Sequence, residues 1–552
     1  MDERKKIENL LRNLHENKNH WVELGLQKKI NYLTEAMKKL LAESKQWADI
    51  CVRAKGLEFN SEISGQELLL GPAIVMKQMR LLKKALIAKG SPRIPKIYKS
   101  KSNQYIAQVV PANFYDTIIW KGFKAEVRIQ KSKEPTQGSI YKTQKNLGGL
   151  SLVLGAGNVS SIAPLDALHK LFSEGKVCIV KLNPVNDYLF EIFNKVFEDL
   201  INDNFLYFIK GDVEISQWLC EHDLIEDIHI TGSHRTHNKI IWGNEFGPLS
   251  ENLDYSISKR NFKNITSELG CVTPVVIVPG VWSDEQLEYH AQQIASAVEN
   301  NASFNCNAIK LIVTCKEWQQ RALFLNCLRK ELSKLKPRIA YYPGAEQRYN
   351  EYLKKYPQSE ILGEKKKNCI PWTLIADIKE TDDSYAFREE AFCGIISETA
   401  LSAHDIPTFI QFATDFCNEK VWGSLSCSLI VDPESRSIYE NEIENCIDSL
   451  RYGSIGINCW SALSYAFAST TWGAYPGHTL EDIQSGIGIV HNGYLLDFPE
   501  KSIVEAPFIV WPKPVWFYNN KNIRKIGEKL IKFEYSQNAF DFLKLILSAV
   551  KG

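Results

Sequence analysis

The sequence predicts an α/β protein with parallel, doubly wound sheets and more than one lobe. A chain of 552 residues, 44% of them hydrophobic, is too long to fold around one simple core. From about residue 148, short apolar segments alternate with helical patterns, and a second series of this kind begins at residue 273. Such alternation favours parallel strands joined by helices that cover the sheet.

The first 90 or so residues predict several amphipathic helices, because apolar residues recur at spacings of three and four. Residues 91–95 contain two prolines and end this region. Residues 104–110 and 125–130 are then predicted to be strands. The polar–apolar alternation of the second is typical of an antiparallel or edge strand.

Two strand–helix series follow, without an internal repeat or a low-complexity linker. The predicted elements are strands at 150–155, 176–182, 227–231, 273–278 and 309–314, helices at 160–174 and 285–300, and a final amphipathic helix at 540–550. The Pro-punctuated apolar stretch at 506–517 is interpreted as a packing or oligomer contact.

Composition argues against several classes of protein. The 66 Lys and Arg residues nearly balance 65 Asp and Glu, so we expect no nucleic-acid partner. The charged N-terminus shows no export signal, and no run of about 18 apolar residues predicts a membrane span. The 13 cysteines include no Cys-x-x-Cys pair, which favours a cytoplasmic protein with reduced thiols and no metal site.

Cys306 is the candidate nucleophile. It lies in a polar segment, Asn300-Asn-Ala-Ser-Phe-Asn-Cys-Asn, between a predicted helix and an apolar strand, where a side chain can face a cleft. A thiolate attacks carbonyl carbon readily, and amides at the end of a helix can hold the resulting oxyanion.

Six segments follow one another in the order Gly157-Asn158, Val180-Lys181-Leu-Asn-Pro, Ile230-Thr-Gly-Ser233, Ser267-Glu268-Leu-Gly-Cys-Val-Thr-Pro, residues 301–307, and Glu389-Glu390-Ala-Phe-Cys-Gly. Together they resemble the ordered motifs of the aldehyde dehydrogenase superfamily over about residues 100 to 480. Each motif alone is weak, but six in order are specific.

The resemblance implies three catalytic residues. Cys306 would attack the aldehyde, and Asn158 with the Cys306 amide would stabilise the oxyanion. Glu268 would activate the water that hydrolyses the thioester, as suits a partly desolvated carboxylate.

The resemblance also implies NAD or NADP as cofactor. Lys181 would bind the adenosine ribose, Gly232 and Ser233 the pyrophosphate, and Glu390 the nicotinamide ribose. Pro184, where NAD-selective relatives often carry an acid, permits NADP.

The implied fold is aldehyde dehydrogenase-like: a Rossmann-type cofactor domain, an α/β catalytic domain and a small oligomerisation arm. We expect a helical region with the cofactor domain at 1–270, the catalytic domain at 271–470, and a C-terminal return and extension at 471–552. Relatives are dimers or tetramers formed by strand exchange, so a homodimer or homotetramer is predicted, with residues 125–130 as one candidate arm strand.

Several departures mark an atypical branch. Cys271 and Cys393 replace family glycines, an insertion is predicted between Ser233 and Glu268, and the chain beyond about residue 495 is longer than usual. His234 and His237 are interpreted as solvated loop residues rather than metal ligands. Four aromatic residues could wall a substrate tunnel or simply pack in the core: Trp460, Tyr465, Phe467 and Trp472.

Three functions remain open. The first is NAD(P)-dependent oxidation of a small-molecule aldehyde to a carboxylic acid, which Glu268 supports. The second uses coenzyme A as acyl acceptor or acyl-CoA as substrate, and similar acylating enzymes often lack this glutamate. The third is a catalytically silent homologue that serves as a binding subunit, against which the joint presence of Cys306, Asn158 and Glu268 argues.

Overall fold

The computed structural model describes residues 2–142, 147–247, 259–381 and 384–552. Helices dominate the N-terminal region, as the apolar spacing predicts: α1 Asp2–Glu23, α2 Leu26–Ala54, α3 Gly65–Leu68 and α4 Ile74–Ile87. A widened helical turn, Leu69–Ala73, joins α3 to α4 and contains Pro72. Buried apolar side chains of α1, α2 and α4 extend the main hydrophobic core.

Strands and a short helix follow: β1 Lys96–Lys99, β2 Tyr105–Val110, α5 Phe114–Ile119 and β3 Lys124–Ile129. The predicted strand at 125–130 is antiparallel to its neighbours, but it is not an edge strand, because β2 lies on one side and a C-terminal strand on the other. Its polar residues are buried: Glu126 bonds the Tyr98 hydroxyl, and Arg128 pairs with Asp448.

The first strand–helix series forms a six-stranded sheet. Its elements are β4 Gly149–Leu154, α6 Ile162–Glu174, β5 Lys176–Lys181, α7 Phe190–Val196, α8 Glu198–Asn202, β6 Leu206–Ile209, α9 Val213–Glu221, β7 Asp227–Gly232, α10 His234–Trp242 and β8 Asn264–Leu269. Strands β8, β7, β4, β5 and β6 are parallel, as predicted. Helix α6 ends at Gly175, whose φ of 72° is the left-handed conformation that glycine adopts freely.

The second series forms most of an eleven-stranded sheet. Its elements are β9 Pro274–Ile277, α11 Asp284–Glu299, β10 Leu311–Cys315, α12 Arg321–Lys334, α13 Ala345–Lys355, β11 Glu360–Ile361, β12 Thr373–Ile378, α14 Tyr385–Arg388, β13 Ile395–Leu401, α15 Ile406–Glu419, β14 Ser426–Ile430, α16 Pro433–Ile438, α17 Glu440–Ser449, β15 Ser454–Ile457 and α18 Leu463–Phe467. A capping box between Ser283 and Gln286 starts α11, the helix that leads to Cys306.

The C-terminal region contributes to both sheets. Its elements are β16 Trp472–Gly473, β17 Gly486–Ile487, β18 Ile489–Val490, β19 Pro499–Glu505, α19 Ile523–Ser536 and α20 Ala539–Ala549. Strand β17 pairs with β8, whereas β19 lies between β15 and β3. Helix α19 packs against α2, α3 and α4, so the end of the chain contacts its beginning.

Strands β1, β2 and β3 thus join the larger sheet through β19, within one chain. The candidate arm strand β3 is paired on both sides by its own chain, and the homo-oligomer stays a prediction. The division at residues 270 and 470 also stays a prediction. Part of the insertion expected between Ser233 and Glu268, residues 248–258, lies outside the described residues. In the described ranges, no helix is both long and apolar enough to cross a bilayer.

Candidate active site

All seven residues that the sequence singles out line one cavity of about 670 Å³. Its lining includes Asn158, Lys181, Gly232, Ser233, Glu268, Cys306 and Glu390. We call it the front cavity. Lys181, Gly232 and Glu268 lie at or near the carboxyl ends of β5, β7 and β8, the edge where parallel sheets hold ligands.

The segment before Cys306 has an unusual backbone. Asn301, Ala302 and Ser303 have φ of 53°, 56° and 66°, so three successive non-glycine residues form a left-handed turn. Such conformations cost free energy and persist only where surrounding contacts hold them. Here the side-chain nitrogen of Asn301, Nδ2, donates to the Asn158 backbone carbonyl at 2.9 Å and to the Phe304 backbone carbonyl at 3.2 Å.

A buried ionic network supports this turn from behind. Lys55 at the end of α2 pairs with Glu67 of α3 at 2.9 Å, and its Nζ also donates to Asn301 Oδ1 at 2.9 Å. The Tyr341 hydroxyl donates to the same Asn301 oxygen at 2.9 Å. The N-terminal helices therefore help to place residues 300–306, which we call the nucleophile loop after the candidate nucleophile Cys306. No motif in the N-terminal region indicates this role.

The thiol of Cys306 donates to Glu268 Oε1 at 3.3 Å. Burial raises the pKa of Glu268 to about 7, and the carboxylate of Asp166 adds to the rise. Burial also raises the pKa of the Cys306 thiol well above its ordinary range, and the carboxylates of Glu268 and Glu390 act in the same direction. The second oxygen of Glu268, Oε2, is buried and makes no close hydrogen bond to the described residues, although the Trp472 indole is near enough to oppose the rise in the Glu268 pKa.

Two donors flank the thiol. Asn158 Nδ2 donates to the Phe304 carbonyl at 2.9 Å, and a second N–H of the same amide remains. The backbone amide of Cys306 has no acceptor in the described part of the chain. The Cys306 carbonyl is held by the Thr273 hydroxyl at 3.0 Å and by Lys310 Nζ at 3.1 Å. These contacts fix the backbone, and neither the second N–H of the Asn158 amide nor the Cys306 backbone N–H has an acceptor among the described residues.

The other end of the front cavity offers cationic and helix-terminal groups. Lys181 is buried, and its ammonium has no hydrogen-bond partner among the residues described; burial lowers its pKa. Ser233 caps α10 by accepting a hydrogen bond from Thr236 N at 3.2 Å. A side chain at Gly232 would meet nothing within 4 Å, so the cavity is open above this helix start. Unpaired helix N–H groups of this kind favour phosphate oxygens.

Glu390 lies at the boundary between these two ends. Its Oε1 pairs with Lys310 Nζ at 3.0 Å, and its other oxygen lies so close to Gly270 that any side chain at position 270 would clash. Lys310 follows Cys306 in a loop with no recognised motif. No sequence signal therefore indicated that its side chain belongs to the site. Cys271 and Cys393, the replaced glycines, are buried and do not line the front cavity.

A second cavity, of about 140 Å³, meets the front cavity at Cys306, Glu268 and Ile162. We call it the rear cavity. Of the four aromatic residues considered from the sequence, Trp460 and Tyr465 line it, and Phe467 and Trp472 do not. Three further parts of the chain line the rear cavity without any motif that indicates it: α4, the region around α5, and the segment 515–534 of the C-terminal extension.

The interpretation of His234 and His237 as solvated loop residues is wrong, because both belong to helix α10. His237 is fully buried in the helix, and His234 lines the front cavity and packs against Trp422. Burial lowers the pKa of each to about 4, so both are neutral near pH 7. Among the described residues, no group of three or more His, Cys, Asp or Glu side chains could hold a metal ion.

Comparison with solved structures shows many similar folds. AldH of Staphylococcus aureus in a substrate-bound state shares 17% identity and a TM-score of 0.61, over 90% of this chain and 93% of that one. Aldehyde dehydrogenase 21 from Physcomitrella patens, in complex with the reaction product succinate, shares 14% identity and a TM-score of 0.62, over 91% and 90%. Glyceraldehyde-3-phosphate dehydrogenase GapN from Methanocaldococcus jannaschii, complexed with NADP, shares 14% identity and a TM-score of 0.59, over 91% and 94%.

No family model matches the sequence. No curated protein matches it either. The chain nevertheless has the fold of aldehyde dehydrogenases, which confirms the predicted fold class.

Proposed function

We propose, starting from the aldehyde dehydrogenase fold, that this protein oxidises an aldehyde to a carboxylic acid with NAD or NADP. The observation that carries the proposal is the position of Cys306, where the front and rear cavities meet, with a carboxylate oxygen 3.3 Å from its sulfur. A thiol in this place can meet an aldehyde from one side and a nicotinamide from the other.

The front cavity fits a dinucleotide. Lys181 would hydrogen-bond the adenosine ribose, Gly232 and Ser233 at the start of α10 would hold the pyrophosphate, and Glu390 would bind the nicotinamide ribose. The cofactor, when bound, supplies the hydride acceptor. Pro184 lines the cavity where a carboxylate would disfavour a 2′-phosphate, so the site accommodates either NAD or NADP.

The residues of this chain perform the other steps. Glu268 takes the proton of Cys306, and the thiolate attacks the aldehyde carbon. The free N–H of Asn158 and the Cys306 amide stabilise the oxyanion. The thiohemiacetal loses its hydride to the cofactor and becomes the thioester, and Glu268 gives its first proton to solvent. Glu268 then takes a proton from water, which attacks the acyl carbon; that proton passes to the leaving sulfur, so the carboxylic acid is released and the Cys306 thiol is restored.

The experiment is formation of reduced cofactor from aldehydes, with Cys306→Ala compared with the parent. We expect turnover to fall to below about a thousandth of the parent value, because the acyl-forming nucleophile is gone. Cys327→Ala, a half-buried cysteine of α12 outside both cavities, is the matched control and should keep full activity. Retention of turnover in Cys306→Ala would contradict the mechanism.

The competing acylating function is distinguished by adding coenzyme A to the same assay. Reduced cofactor should form equally without it, because Glu268 lies beside Cys306 and can activate water. Strict dependence on coenzyme A would replace the hydrolytic proposal with the acylating one. An absence of Cys306-dependent turnover with any aldehyde would favour the silent homologue.

A further inference from the structure

The rear cavity has walls from seven separate parts of the chain, from Gln66 near the N-terminus to Glu534 in the C-terminal extension. Buried residues beside the nucleophile loop form its inner end, among them Val159, Ile162 and Trp460. Trp460 is fixed there, because its Nε1 donates to the Asn307 carbonyl at 2.7 Å. Half-buried Trp120, Trp516 and Leu530 form the outer end.

Its side walls are apolar. Leu69, Leu70, Ala73 and Ile74, which lead into α4, lie along the cavity together with Val515 and Leu463. A wall of this kind can bury the hydrocarbon part of a substrate but offers it few hydrogen bonds. Each methylene buried there strengthens binding about fourfold.

Charged groups occur at the outer end, and their charges cancel. Lys77, Asp116 and Glu534 line the cavity, and Arg80 donates to Glu534 at 2.7 Å, so two cations face two carboxylates. Lys77 has no carboxylate within 4 Å among the described residues, and its ammonium lies over the rings of Phe467 and Trp120 at 5.1 and 5.9 Å. The carboxylates of Glu534 and Asp116 nevertheless act on Lys77 electrostatically, so an anionic substrate tail that approached Lys77 would lose its hydration and also meet these two negative charges.

We propose that the rear cavity binds the apolar body of an uncharged, hydrophobic aldehyde, and that Trp516 and Leu530 of the C-terminal extension set its preferred length. The proposal rests on the proposed function, since it places the carbonyl at Cys306. It makes the extension past β19 a determinant of specificity, and not only a packing element.

The test compares kcat/KM for acetaldehyde, hexanal and 6-oxohexanoate, the last having the same chain length with a terminal carboxylate. We expect hexanal to exceed each of the others at least about tenfold, since its methylenes are buried and its tail is uncharged. Equal or greater kcat/KM for acetaldehyde or 6-oxohexanoate would overturn the proposal.

The variant Trp516→Ala tests the role of the extension. It should lower the ratio of kcat/KM for hexanal to that for acetaldehyde about fivefold or more, because the outer wall is lost. Trp511→Ala is the matched control: Trp511 lies in the same segment, is 78% exposed and lines neither cavity, so the ratio should not change. An unchanged ratio in Trp516→Ala, with native thermal unfolding, would contradict this assignment.

Failure of catalysis is separated from failure of binding by hexanamide, an unreactive analogue. Its binding is followed through tryptophan fluorescence, because Trp460 and Trp516 line the cavity. Saturable binding that weakens in Trp516→Ala, without any aldehyde turnover, would support the apolar site and contradict the enzymatic function alone. Absence of saturable binding would overturn the apolar site itself.

Discussion

Cys306 and Glu268 lie close enough to share a proton. With 3.3 Å between Sγ and Oε1, the thiol proton can pass to the carboxylate, and the charged form of either group raises the pKa of the other. Burial disfavours the ionised form of both groups. A carboxylic acid with a pKa of about 7 is half ionised near neutral pH, which suits a group that must accept a proton twice in the proposed cycle.

A pH dependence follows for the parent enzyme. Glu268 acts as a base only when it is ionised, and its pKa is raised, so kcat should fall about tenfold per unit as the pH decreases below about 7. The measurement is the steady-state rate from pH 5 to 9 in buffers of constant ionic strength. A profile that stays flat down to pH 5 would be inconsistent with this base.

The variant Glu268→Gln serves as the control for that profile. It cannot accept a proton, so the limb near pH 7 should disappear and turnover should fall about a hundredfold or more. Acylation is slowed as well, because Glu268 also takes the proton of Cys306, so the variant is incubated with aldehyde and cofactor for many parent turnover times. Mass spectrometry should then detect an acyl group on the Cys306 peptide, since hydrolysis of the thioester has lost its base. Rapid hydrolysis in this variant would assign the base to another residue.

At the scale of elements, the nucleophile loop depends on helices that are remote in sequence. Lys55 ends α2, Glu67 lies in α3, and both are almost fully buried beside the left-handed turn at 301–303. Gln66 adds a second link, because its Oε1 accepts from Asn301 N at 3.2 Å. The turn is thus held by groups that are remote in sequence, since Lys55 and Asn301 are 246 residues apart.

Lys55→Met is therefore expected to lower the free energy of unfolding by about 3–5 kcal/mol, because it leaves the Glu67 carboxylate buried without its cation. Denaturant unfolding measures this change. The double variant Lys55→Met/Glu67→Leu should recover much of the stability, since no buried charge remains.

Catalysis distinguishes a positioning role from a merely structural one. We expect kcat of both Lys55→Met and the double variant to lie below the parent value while KM changes little, because Asn301 Oδ1 has lost its hydrogen bond from Lys55 in each. Full recovery of kcat together with stability would show that the network matters only for folding.

At the scale of the whole molecule, the C-terminal extension is docked on the N-terminal helices. Gly65 of α3 lies so close to the backbone of Arg524 in α19 that a β-carbon would clash with main-chain atoms, which no rotamer change relieves. The Arg80–Glu534 pair joins α4 to the same helix. Both contacts hold the wall of the rear cavity in place.

Gly65→Ala should therefore lower the free energy of unfolding by about 1–3 kcal/mol, even though the Gly65 φ of −67° suits alanine. Gly25→Ala is the matched control, because a β-carbon there meets nothing within 4 Å, and the change should be below about 1 kcal/mol. Equal unfolding free energies for the two variants would show that α19 is not tightly docked on α3.

Local signals in the sequence predicted the fold class, and the resemblance of six ordered segments to a known family indicated which residues form the candidate site. Alternating apolar strands and helices predicted the parallel sheets, and the helix predicted at 285–300 agrees with α11, Asp284–Glu299. All seven singled-out residues line the front cavity. Lys181, Gly232 and Glu268 lie at strand ends and Ser233 at a helix start, whereas the other three lie in loops between elements: Asn158, Cys306 and Glu390. Their roles remain proposals.

Only the tertiary structure decided what surrounds that site. Lys310, the Lys55–Glu67 pair and the rear-cavity wall at Trp516 have no motif, since they act through contacts between residues far apart in the sequence. The tertiary structure likewise made β3 an inner strand, because β19 returns from the other end of the chain to pair with it. Local periodicity records which face of an element is apolar, but the partner that covers that face is chosen by long-range packing.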